Sequence, residues 1–115
     1  MADTTTVTRT GNFISLLFAG IGADFLWSTD TTANTGKASQ VKIGSIMWKP
    51  DTDGDLLVIR EGGSTGAIIF SNVSDENLTT SIRYFNGGRG TRMNPSITVA
   101  QCTTLGAGTV TFEVM

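Results

Sequence analysis

The ionisable inventory of the chain is short: ten carboxylates, eight Lys or Arg side chains, one thiol at Cys102 and no histidine in 115 residues. The missing imidazole removes Ser-His-Asp triads, His-ligated zinc and the usual general base near neutral pH. Chemistry would then have to rest on paired carboxylates, as in a glycosidase, or on an activated lysine. The acids fall mainly in turn-like stretches (Asp51, Asp53, Asp55, Asp75 and Glu76), and no two sit on strand faces that must converge. The expectation is therefore a protein that is not an enzyme, with no catalytic, cofactor-binding or metal-ligating residue to assign and no cofactor.

Four stretches imitate functional motifs. Asp51-Thr52-Asp53-Gly54-Asp55 is like a calcium loop, but the glycine expected at its sixth position is Leu56 and the bidentate glutamate at its twelfth is Gly62. It reads as an acidic turn between strands. Gly87-Gly88-Arg89-Gly90 is glycine-rich without G-x-G-x-x-G or a following helix, and Thr35-Gly36-Lys37-Ala38 lacks the upstream glycine and the following hydroxyl of a P-loop. Arg83, Arg89 and Arg92 flank a flexible tip with Met93, either as solvated charges or as an intersubunit contact, where Arg and Met are enriched. Trp27 and Trp48 could stack on sugar if exposed, but a Trp in a sandwich core is the commoner case. Cys102 cannot form an internal disulfide and has no histidine to activate it, so it reads as a small buried thiol from a reducing cytoplasm.

The elements that would carry these residues are all extended. Nineteen Thr, nine Ser and fourteen Gly supply the polarity, while charged residues are only 16%. Thr is β-branched and suits a pleated, half-wet surface. Residues 1–12 (MADTTTVTRTGN) are polar and read as a flexible arm ahead of a single domain over 13–115. Strands are expected at 13–18, 24–29, 41–49, 56–60, 67–70, 78–85, 96–102 and around Val110, Phe112 and Val114, with no helix. In 41–49, Val41 and Ile43 share one parity but Ile46 and Trp48 the other, so a bulge at Gly44-Ser45 is needed to restore one buried face. Turns fall at residues 19–22, 51–55, 61–66 and 105–108, with polar links over 30–40 and 72–77 and a glycine-rich tip over 86–95. The pattern predicts an all-β fold, an antiparallel β-sandwich or jelly-roll-like barrel of about eight short strands.

Charge and hydropathy narrow the partners. Residues 1–55 hold four basic and six acidic side chains and residues 56–115 four of each, so neither half has the basic excess that holds nucleic acid. No apolar run approaches 18 residues, so no membrane span is expected. FISLLFAGIGA at 13–23 could pass for a signal-peptide core, but its glycines and weakly basic approach favour a strand.

VKIGSIMWKP, an acidic turn, DLLVIREGG and AIIF, closed by LGAGTVTFEV, together resemble small virion proteins of tailed phages, of the capsid decoration or cement type, over about a third to 40% of the chain. The resemblance implies a sandwich that binds the major capsid protein, self-associates as a homotrimer at threefold positions, carries an extended N-terminal arm and resides in the virion after assembly in the host cytoplasm. It carries no catalytic residues. Residues 1–12 and 86–95 would be the contact pieces. A tail, fibre-base or baseplate component, or a carbohydrate-binding module, are the alternatives.

Overall fold

The structure, a computed structural model, describes residues 5–18, 24–34, 40–102 and 108–115. Among the described residues, ten strands form two antiparallel sheets. The first has the order β1 (Thr5–Thr10), β2 (Phe13–Phe18), β10 (Gly108–Val114), β4 (Val41–Pro50) and β7 (Ser81–Tyr84), with β8 (Thr91–Met93) pairing the other end of β4. The second has the order β3 (Phe25–Leu26), β9 (Pro95–Ile97), β5 (Leu56–Glu61) and β6 (Ile68–Val73). This is the expected all-β sandwich.

The sheets close on alternate residues. Ile14 and Leu16 of β2, Ile46 and Trp48 of β4, and Val110 and Phe112 of β10 are fully buried on one face of the first sheet. Phe25, Leu57, Ile59, Phe70 and Ile97 meet them from the second, and Phe25 stacks on Phe112 with centroids 6.0 Å apart. Each fully buried aliphatic side chain contributes about 1.5–3 kcal/mol of transfer free energy. The bulge in β4 is where the parity slip demands it. Glu113 pairs with Ser45 but Val114 pairs with Ile43, so Gly44 is the extra residue and Ile43 returns to the core. A Cβ on Gly44 would stand 2.6 Å from the Met115 sulfur, and its carbonyl accepts the Phe85 N–H at 2.9 Å.

Two strands lie outside the eight expected. Thr5–Thr10, in the segment read as an arm, pairs residue for residue with β2 through a two-residue turn at Gly11-Asn12. Val7 packs on the core and Arg9 donates to the Ala33 carbonyl at 2.8 Å. A polar strand has no face to bury alone, but β2 supplies the main-chain partners that make it one. The second is β8, inside the glycine-rich tip. Thr91–Met93 pairs with Val41–Ile43, Met93 is buried, and Gly87, Gly88 and Gly90 take the positive φ that the tight return needs.

Other boundaries move for local reasons. The expected strand over 78–85 starts only at Ser81, because Asp75 accepts hydrogen bonds from the N–H groups of Asn77 and Thr79 and from the Thr79 hydroxyl. That turn holds Leu78 at φ 54. The same bonds, Thr79 foremost, lower the Asp75 carboxyl below its ordinary value. A four-residue helix, α1 (Thr31–Asn34), replaces part of the polar loop, with the Asp30 carboxylate accepting the Ala33 N–H. The expected strand over 96–102 ends at Ile97 and continues as a 3₁₀ turn over Val99–Gln101. The turns expected at 19–22 and 105–107, residues 1–4 of the expected arm and the Thr35-Gly36-Lys37-Ala38 stretch lie outside the described residues.

Cys102 does what a missing strand would do. β9 pairs β5 only at Arg60 and Glu61, and beyond it the Val58 N–H donates to the Cys102 sulfur at 3.4 Å while the thiol faces the Val58 carbonyl at 3.6 Å. Burial pushes the thiol above its ordinary pKa. The unfolded chain therefore releases this proton first. The thiol's contribution to stability is complete below the ordinary thiol range and is lost as pH rises from there through the raised folded value. Urea midpoints measured from pH 7 to 10 should fall more steeply for the native sequence than for Cys102→Ala; equal slopes would remove the thiol as the cause.

Candidate functional site

The register of the first sheet assembles one broad outer face. Phe13, Glu113, Ser45 and Tyr84 lie in one cross-strand row, Ser15, Thr111, Met47 and Ile82 in the next, and Thr109 beside Lys49 in a third. Along β2, β4 and β10 their neighbours point inward, so this face is the opposite of the core. Tyr84 is 64% exposed and Ile82 and Phe13 are each 49% exposed. Glu113 and Lys49 are the only charges in these rows, and Glu113 accepts a bond from the Ser45 hydroxyl at 3.2 Å. Ser15 and Thr111 hydroxyls stand 3.3 Å apart. The result is a low-charge surface of hydroxyls carrying aromatic and aliphatic groups.

The three arginines of the sequence do not act together. Strand alternation turns Arg83 away from Ile82 and Tyr84, where it stacks 5.1 Å above the Phe85 ring and donates to the Ile69 carbonyl. Arg89 and Arg92 stay exposed. Arg92 lies opposite Lys42, a like-charge pair that disfavours the strand pairing and leaves a small basic spot beside β8. Both tryptophans are buried, Trp27 at 2% and Trp48 at 0% exposure, so neither presents a ring to a sugar.

Among the described residues the acids do not converge. Asp51 and Asp53 are exposed in the turn before β5, whereas Asp55 is buried, its N–H bonded to the Ser74 hydroxyl at 2.9 Å. Among the described residues no group of three or more His, Cys, Asp or Glu is placed to hold a metal ion. The Glu61 carboxylate is occupied by the Asn94 N–H at 2.6 and 2.9 Å, which fixes the start of β9. An open depression of about 340 Å³ beside β3 is lined by Asp24, Phe25, Thr29, Ser64, Ser96 and Thr98, with a single carboxylate.

Sequence reasoning did not single out Phe13, Met47, Ile82 and Tyr84 as a surface. The available signal was apolarity at both parities: FISLLF places Phe13 opposite in phase to Ile14, and SIMW places Met47 opposite to Ile46 and Trp48.

Among the described residues, fold and face together define an antiparallel β-sandwich with an exposed, low-charge sheet surface. Comparison with protein-family models, with curated proteins and with solved structures yields no match to any of them. Among the described residues no helix is long and apolar enough to cross a membrane.

Proposed function

We propose that the chain is a structural virion protein of a tailed phage, specifically a capsid decoration protein that cements the head. The observation that carries this reading is the outer face of the first sheet, where Phe13, Met47, Ile82 and Tyr84 stand among hydroxyls with two charges in the three rows. A rigid sandwich bearing such a face suits adhesion. Several modest contacts, made at once by a self-associated homotrimer, raise avidity without a tight single site. The resemblance of VKIGSIMWKP and DLLVIREGG to small virion proteins points the same way. The exposed Arg89 and Arg92 extend the contact surface toward acidic groups of the major capsid protein.

Co-sedimentation with undecorated shells tests it. Ile82→Asp combined with Tyr84→Asp should weaken binding at least ~30-fold, the equivalent of one interface hot spot of about 2 kcal/mol. Both side chains are exposed, so the thermal midpoint should stay within a few degrees of the native protein. Undiminished binding by a folded double variant would remove this face from the reading, and co-purification with tails instead of heads would move the protein to the tail.

A further inference from the structure

The β6–β7 flank of the sandwich, away from Phe13, holds a second device. β6 is an edge strand of the second sheet, and side-chain bonds link it to β7, an edge strand of the first. Just past β6, the Ser74 main-chain N–H donates to the Asp55 carbonyl at 2.8 Å, and within β6 the register pairs Asn72 with Leu57 and Phe70 with Ile59. Alternation therefore turns the main-chain groups of Ser71 and Val73 outward. The strand reads IIFSNV, with neither charge nor proline, and Ile68 and Val73 are 53% and 56% exposed. Such an edge is a template for another strand.

This edge is covered by side chains of the chain itself. The Arg83 guanidinium, held over Phe85, donates to the Ile69 carbonyl. The Asn72 carboxamide accepts the Val73 N–H at 2.9 Å and donates to the Ser81 hydroxyl at 2.7 Å, tying β6 to β7. A bulge adds to this, since the register steps from Ile59–Phe70 to Arg60–Ile68 and skips Ile69.

We propose that the β6 edge is a latent pairing surface for a second copy of this chain and that Arg83 and Asn72 keep it closed. The occupant follows from the register. Antiparallel pairing of β6 with itself about Ser71 sets Ser71 against its own counterpart and Ile69 against the counterpart of Val73, so outward groups meet outward groups in a two-fold arrangement. The inference is independent of the virion reading. It concerns the flank away from Phe13, and it confines association to surfaces other than this edge.

Sedimentation of Arg83→Met with Asn72→Ala, over a wide concentration range, tests it; methionine keeps the packing on Phe85 but has no donor. The expected result is a mass rising to twice that of the native protein, returned to the native value by adding Ser71→Pro, which removes an outward N–H. A folded double variant that keeps the native mass throughout, or an increase that Ser71→Pro leaves in place, overturns it. Should the double variant not fold, Arg83→Met alone is read by amide exchange. Protection of Ser71 and Val73 that grows with concentration supports the latent edge, and protection independent of concentration rejects it.

Discussion

Trp48→Ala is expected to lower the unfolding free energy by ~3–5 kcal/mol, the usual cost of deleting a buried aromatic side chain. Domains of this size have only about 5–15 kcal/mol in total, so the variant should be partly unfolded at 37 °C. The site explains the size of the effect. Trp48 is fully buried in the second half of β4, between Val110 of β10 and Ser81 of β7. A cavity there unseats the strand that joins the two halves of the first sheet. Trp48→Phe should lose distinctly less. The indole Nε1 is buried without a hydrogen-bond partner, and a dry donor costs about 1–3 kcal/mol, which phenylalanine avoids. Urea unfolding of both variants measures this. Equal losses would mean that the Nε1 is satisfied in solution, by a bound water for example.

Gly66→Ala is expected to reach or exceed the ~3 kcal/mol upper end usual for overpacking. A Cβ on Gly66 would lie 1.6 Å from the Glu61 carbonyl oxygen, a main-chain atom that cannot swing aside. Moving Glu61 breaks its N–H bond to the Ala67 carbonyl at 2.9 Å and displaces the carboxylate that holds Asn94. The β5–β6 hairpin and the start of β9 would loosen together. Gly62→Ala is the control: its φ of +72° strains an L-residue, but nothing lies within 4 Å of an added Cβ. It should cost only the ~1–2 kcal/mol of a left-handed residue. Comparable melting temperatures for the two variants would show that the Glu61 carbonyl yields more than the geometry allows.

Much of the core was readable because strand alternation is a local property. Val110, Phe112 and Val114 share one parity and are all buried, and the slip between Ile43 and Ile46 located the Gly44 bulge before any partner strand was known. The Asp75 turn was readable in principle, since an Asp four residues before a Thr can cap it, but the cleaner alternation after Leu78 outweighed it. The strands β1 and β8 were not readable. Thr5–Thr10 has Val7 as its one apolar residue, and Thr91–Met93 sits in a glycine-rich tip; each is a strand only because another strand offers its main chain.

The candidate site shows the same division. Composition excluded a histidine-based centre outright, because an absent side chain needs no structure to be absent. Arg83 looked like part of a basic tip, and only the meeting of β6 and β7 turned it into a cap on Ile69. By itself, the order of residues determined that the chain is β, which residues share a face, and where that face must shift register. Tertiary structure alone decided which faces are covered, joined Phe13, Met47, Ile82 and Tyr84 into one surface, and placed two strand edges side by side. The physical reason is that a period of two labels the faces of a strand without naming its neighbours, and neighbours are settled by burial and hydrogen bonds between segments far apart in the chain.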